Sequence, residues 1–261
     1  MYANATDERD RLSTTAPPAW RAPAWVESRP FATVLALIGG VIAVVAGSAA
    51  VLAVITPDLG EQSRRQIATL ILAALTVMLL FRWSAWRAVG AAGPVRRRDW
   101  GLMALPLAFA AWPLGFGVEG GVLALVVALA AELPNSFAEE ALMRGVLIRA
   151  LGNRKRWATA LISGVTFGLL HLVVVVWGAP AAEVVPLIVI SSLFGIGYAC
   201  MRMVTDSLWA PIALHALFNV SQHVGRGIES IGEGPATLIL LVGAVVVPFY
   251  GLLLLRQNRR G

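Results

Sequence analysis

The chain has 261 residues, 58% of them hydrophobic and only 14% charged, whereas a soluble domain carries about 25% charge. A net charge of +6 would suit nucleic acid, but almost all the charged residues lie at the ends of apolar runs and form no separate basic domain. Cys200 is the only cysteine, which excludes a disulfide framework and a Cys-rich zinc site and leaves it as a small packing residue.

Residues 1–29 are polar, hold Asp7, Glu8, Arg9, Asp10 and Arg11, and are expected as a disordered tail too poor in apolar residues to pack. The order of basic region, apolar run and cleavage site that marks a signal peptide is absent. From residue 30 to 256 the hydropathy predicts one transmembrane domain, all-α, of eight spans: 31–56, 66–82, 100–117, 121–149, 157–177, 184–203, 207–224 and 235–255. A short basic tail, 257–261, follows. Pro57, Gly120-Gly121, Gly178-Ala179-Pro180 and the glycine-rich loop 225–235 punctuate the spans. Asp206 and Ser207 are the expected N-caps of the seventh. The fourth span is too long for one straight crossing and contains Pro134, so a kink or break is expected near Pro134-Asn135.

The distribution of cations sets an orientation. With both termini in the cytoplasm, only Arg64, Arg65 and Arg226 of the 21 Lys and Arg residues fall outside, and Arg144 lies within the membrane. The inner loops receive Arg82, Arg87, Arg96, Arg97, Arg98, Arg149, Arg154, Lys155 and Arg156. The run Arg96-Arg97-Arg98 reads as a topology signal and a contact for lipid headgroups. Trp83, Trp86, Trp100, Trp157, Trp209 and Trp177 fall near span ends, as an interfacial belt requires; Trp112 does not and is expected to be buried or lipid-facing.

Three polar clusters interrupt these spans: Glu139-Glu140 with Arg144, His171 four residues after Phe167, and His215 with Asn219. An ionisable group inside a span is costly and marks a functional site by default. Glu140 and Arg144 are spaced to pair on one helix face. Glu139 points about 100° away, at ~3.6 residues per turn, and has no local cation. Glu139 is therefore expected as the general acid or base and Glu140 as the structural partner of Arg144. His215 and Asn219 share a face and suit hydrogen bonding to a developing oxyanion. His171 suits sharing a water with Glu139, or ligating a metal: His171, His215 and Glu139 would make a two-His, one-carboxylate zinc set. At a rise of ~1.5 Å per residue, Glu139, His215 and His171 lie ~15, ~13 and ~21 Å from the cytoplasmic ends of their spans, and can share one layer.

Structural readings exist for each cluster. A lone His or Asn in a membrane often serves as glue between helices, and a Glu-Arg pair as a folding staple. An adjacent second carboxylate adds repulsion and desolvation with no structural return. His223 is expected at the interface, and Glu132 as a water-facing or paired group rather than a catalyst.

The three clusters, Glu139-Glu140-Ala-Leu-Met-Arg144, Phe167-Gly-Leu-Leu-His171 and His215-Ala-Leu-Phe-Asn219, resemble the motifs of the CPBP family of intramembrane proteases, bacterial relatives of the type II CAAX prenyl endopeptidases. The approach Ser207-Leu-Trp-Ala-Pro-Ile212 is also similar, and the likeness covers residues 134–222. It implies hydrolysis of a peptide bond within the cell membrane, with water activated by Glu139 and His171. Glu140 and Arg144 would orient that site, and His215 and Asn219 would hold the oxyanion. Both a Zn2+-dependent and a metal-free glutamate-type protease fit the resemblance. The expected partners are membrane lipids and a membrane-associated or lipid-modified peptide or protein, reaching the site from the cytoplasmic side. A catalytically silent peptide-binding immunity or scaffold protein is the alternative. A proton-coupled transporter is a third reading, disfavoured by the lack of internal repeats.

Overall fold

The computed structural model describes residues 20–152 and 154–257. These form an all-α polytopic bundle with no strand among the described residues, only an isolated bridge between Val118 and Gly225. A short α1 (Trp25–Ser28) leads into α2 (Pro30–Ile55) and α3 (Glu61–Arg82). Next come α4 (Trp100–Ala111), continued by a 3-10 turn (Trp112–Phe116), and α5 (Gly121–Glu140), which runs through a π-helical segment (Ala141–Val146) into α6 (Leu147–Ala150). Then follow α7 (Arg156–Leu170) with its 3-10 extension (His171–Trp177), α8 (Ala181–Thr205), α9 (Trp209–Val224), α10 (Gly227–Ile231) and α11 (Glu233–Gln257).

Among the described residues six stretches are long and apolar enough to cross a membrane: Pro30–Ile55, Glu61–Arg82, Gly121–Ala150, Arg156–Val175, Ala181–Thr205 and Glu233–Gln257. They turn large apolar side chains outward, among them Val54, Val122, Leu123 and Leu238, a surface that only lipid would tolerate. The remaining two expected spans, 100–117 and 207–224, fall on α4 and α9, of 12 and 16 residues. At ~1.5 Å per residue α9 is only about 24 Å long. Its length need not match the bilayer, because Ala210, Leu214, Ala216 and Val220 are sealed inside the protein.

The helices alternate in direction, which the loop contacts show. At one end Arg156 donates to the Met203 carbonyl, Arg202 to that of Val89, and the Trp209 indole to that of Ala91, while Arg149 pairs with Glu27. At the other end the amide of Glu119 donates to the Val224 carbonyl and that of Arg226 to Gly117, and Arg65 lies over Trp177. Trp112 is also here, packed against Gly227 and edge-on to Phe116.

The most extensive contact between two helices brings α7 against α8. Gly164 and Gly168, one turn apart, make it possible: a Cβ on Gly164 would lie 2.6 Å from the Ile196 nitrogen, and one on Gly168 2.5 Å from the Ile188 carbonyl oxygen. Small residues at this spacing let two backbones touch, the usual means of holding membrane helices together. Cys200 is fully buried where α11 crosses α8, facing Gly251.

Three expectations change. Pro134 does not break its helix: α5 continues to Glu140, and the irregularity falls at the π segment seven residues later. A proline removes one backbone bond, which packing neighbours can offset. The π segment widens the helix where all six of its residues are buried. Second, the part of the tail that is described, residues 20–29, is packed rather than loose: Val26 is buried, its carbonyl accepts from the Thr33 hydroxyl, and Trp20 meets Trp83 edge-on. Residues 1–19 and 258–261, the rest of the two expected tails, lie outside the described residues. Third, Asp206 takes a left-handed conformation that ends α8, and Ser207 alone meets the start of α9, its hydroxyl accepting from the Trp209 amide at 3.3 Å.

Candidate active site

The site is assembled from the last turn of α5 and the π segment, the junction of α7 with its 3-10 extension, the middle of α8, and α9. Glu140 and Arg144 are both fully buried, and Arg144 Nη1 donates to Glu140 Oε1 at 3.0 Å. Arg144 Nη2 donates to the carbonyl of Gly195 at 3.1 Å, and the guanidinium stacks 4.1 Å above the Phe167 ring. Gly195 allows this: a Cβ there would come within 2.9 Å of Arg144 Nη2. A buried ion pair is tolerated only with further hydrogen bonds of this kind. Glu140 Oε2 and Arg144 Nε have no hydrogen-bond partner among the described residues.

His215 reaches the same carboxylate from α9, its Nδ1 lying 3.0 Å from Glu140 Oε1. An ionised carboxylate only accepts, so Nδ1 carries the hydrogen. Its other nitrogen, Nε2, lies 3.8 Å from Glu139 Oε2. The two glutamates thus bracket one imidazole. They differ in access, because the side chain of Glu139 is 21% exposed and that of Glu140 is sealed.

His171 is turned elsewhere. Its Nδ1 lies 3.1 Å from the carbonyl of Phe167, which again requires the hydrogen on Nδ1. Nε2 therefore presents a lone pair, 3.3 Å from the Ser191 hydroxyl. Between the two imidazoles stands Phe167, edge-on to His171 at 5.1 Å and to His215 at 5.5 Å. Among the described residues no hydrogen bond or ion pair joins His171 to Glu139. Both line a cavity of about 170 Å³ that also touches Arg65, Thr69, Asn135 and Trp177. A second cavity, of about 270 Å³, is lined by His171, Ser191, Tyr198, His215, Asn219 and Gln222 among others. His171 lines both.

Asn219 has an unexpected partner. Its Nδ2 donates to Glu132 Oε2 at 2.9 Å, and the other oxygen of Glu132 faces His223 Nδ1 at 3.6 Å. Glu132 is buried, and His223 is 60% exposed. The heptad spacing of Glu132 and Glu139 was the available signal, since two turns put both on one face of α5. Nothing in the sequence marks Ser191 or Gly195, which earn their positions only through the crossing of α7 and α8.

The metal set expected from His171, His215 and Glu139 does not assemble. Among the described residues no three His, Cys, Asp or Glu side chains cluster so as to hold an ion. His215 has a carboxylate at each nitrogen, and His171 spends Nδ1 on a carbonyl. The residues as arranged do not fit a zinc centre.

Compared with known proteins, residues 121–221 match the family described as type II CAAX prenyl endopeptidase Rce1-like. No curated protein and no solved structure matches the chain. The matched segment runs from the start of α5 almost to the end of α9 and contains Glu132, Glu139, Glu140, Arg144, Phe167, His171, Ser191, Gly195, His215 and Asn219. The apolar helices and this match together mark a multi-pass membrane protein. Over residues 121–221 the chain is thus similar to the Rce1-like type II CAAX prenyl endopeptidases.

Proposed function

We propose that the protein is an intramembrane endopeptidase that hydrolyses a peptide bond of a membrane-associated or lipid-modified peptide or protein. The observation that carries this reading is the bracketing of His215 by Glu140 at 3.0 Å and Glu139 at 3.8 Å, with Asn219 one turn further along α9.

A proton count gives the mechanism. His215 already donates from Nδ1 to Glu140. A second hydrogen on Nε2 makes it a donor toward the substrate as well. The cluster then holds two carboxylates, one guanidinium and one imidazolium, and sums to zero, the least costly state in a low-dielectric interior. A water held between Glu139 and the Nε2 lone pair of His171 attacks the scissile carbonyl carbon, and Glu139 takes its proton. The cluster gains one positive charge as the carbonyl oxygen gains one negative charge, so the reacting assembly stays neutral. Nε2–H of His215 and the second Nδ2 hydrogen of Asn219 donate to that oxygen. The carbon–nitrogen bond then breaks, and the leaving amine receives the proton stored on Glu139. Glu140 and Arg144 orient His215 and do not exchange protons with substrate.

The test is cleavage of a fluorogenic peptide library by the purified protein in nanodiscs. Wild type is compared with Glu139→Ala, His171→Ala and His215→Ala. Loss of cleavage with the fold retained supports the reading, and cleavage that survives Glu139→Ala sinks it. If wild type cuts nothing yet binds the same peptides, the protein is a binding module.

A further inference from the structure

Both cavities at the site lie on the same side of it along the bundle axis. The first is walled by Arg65, four residues into α3, by Trp177 at the close of the 3-10 extension, and by Thr69, and it ends at Asn135, Glu139 and His171. The second is walled by Leu187 near the start of α8, Leu240 near the start of α11 and Gln222 near the end of α9, and it ends at Ser191 and His215. All of these helix ends belong to one end of the bundle, where Glu119 bonds to Val224 and Arg65 covers Trp177.

In the opposite direction the site is closed. Met143, Leu147, Met201, Leu208, Ile212 and Leu214 fill the space toward the arginine-rich loops, and none is more than 2% exposed. Side chains packed to that density leave no room for an extended peptide. The closed end carries Arg87, Arg96, Arg97, Arg98, Arg149 and Arg156, whereas the end with the cavities carries few cations. An excess of Lys and Arg marks the cytoplasmic side of a membrane protein.

We propose that substrate reaches Glu139 and His171 from the cation-poor, extracytoplasmic end of the bundle, past Arg65 and Trp177, rather than from the cytoplasmic side expected from the sequence. The occupant is an extended peptide segment presented at that membrane face. Its apolar residues meet Val41, Val45 and Leu72, and its polar groups pass the guanidinium that Glu61 and Trp177 hold at the rim. The inference rests on the peptidase reading for the identity of the occupant, but not for the direction of access.

Three single-cysteine variants on a Cys200→Ala background separate the two questions: Trp177→Cys at the rim, Asn135→Cys beside Glu139, and Arg87→Cys at the closed end. Each is reconstituted into vesicles of one orientation and exposed to a membrane-impermeant maleimide from either side. Asn135→Cys should react from the side that labels Trp177→Cys and stay unreactive from the side that labels Arg87→Cys. Reaction from the Arg87 side, from both sides or from neither overturns the proposal. Cleavage supplies the second readout: a bulky adduct on Trp177→Cys should abolish it, and one on Arg87→Cys should leave it intact. If the labelling pattern holds and wild type cleaves nothing, the peptidase reading fails and the direction of access stands.

Discussion

Glu140 Oε1 accepts hydrogen bonds from two residues, Arg144 Nη1 and His215 Nδ1, each at 3.0 Å. One buried oxygen therefore links the π segment that follows α5 to α9. It also fixes which nitrogen of His215 faces the cavity. Glu139, the preceding residue, faces the other nitrogen of the same ring and is the one glutamate of the pair with solvent access.

This arrangement predicts opposite outcomes for two adjacent glutamates. Glu140→Gln leaves the Arg144 charge buried without a counter-charge, and removing one member of a buried pair costs about 3–5 kcal/mol. Its thermal unfolding in detergent should shift well below that of wild type. Glu139→Gln removes a half-buried carboxylate whose contact to His215 is loose, so it should unfold near the wild-type temperature while losing cleavage. Equal destabilisation by both variants would show that Glu139 is structural.

Much of this pair was legible in the sequence, and the reasons are physical. The four-residue spacing of Glu140 and Arg144 survives even in a π segment, because the long side chains absorb the wider turn. Glu139 differs from its neighbour because adjacent helical residues face different ways. What the sequence did not disclose depends on how helices cross. The meeting of His215 with Glu140 rather than with a substrate alone, the seat of Arg144 on the Gly195 carbonyl, and the bond from Asn219 to Glu132 all join residues more than 50 positions apart. No break appears at Pro134 because a proline removes a single backbone bond, and a helix held on both sides can continue past it.

In the proposed mechanism Glu132 is a positioning residue for Asn219. Its carboxylate takes one Nδ2 hydrogen and aims the other toward the second cavity. Asn219→Ala should lower kcat by about 10²–10³, the usual effect of deleting an oxyanion donor. Glu132→Ala should lower kcat by less and leave KM unchanged, and Glu132→Gln, which keeps an acceptor oxygen, should restore most of the rate. A fall in thermal stability without this split in kcat would assign Glu132 a purely structural role.

The crossing of α7 and α8 places His171 relative to Ser191, so a change there should reach the chemistry indirectly. In Gly168→Ala the new methyl would lie 2.5 Å from the Ile188 carbonyl oxygen and closer still to the Ser192 hydroxyl. Overpacking of this kind costs about 1–3 kcal/mol and pushes the helices apart. The variant should unfold at lower temperature and cleave more slowly. Adding Ser192→Ala should recover only part of the loss, because the clash with the Ile188 backbone remains. Full recovery would show that the backbone contact has slack.

Chelation should leave cleavage within about twofold of its starting rate, and added zinc should not raise it. The argument rests on where the ring nitrogens point. A metal needs the lone pairs of two or three converging ligands. His171 Nδ1 is committed to the Phe167 carbonyl, and His215 meets Glu140 with one nitrogen and Glu139 with the other. Of the ring nitrogens of His171 and His215, only Nε2 of His171 is free to ligate, and Ser191 already lies beside it. A rate that collapses on dialysis against chelator and returns with zinc would require His215 to release a carboxylate and swing past Phe167. In that event His215→Ala should also abolish zinc binding measured directly by calorimetry. Without metal dependence, the same variant should lose cleavage and show no change in zinc binding.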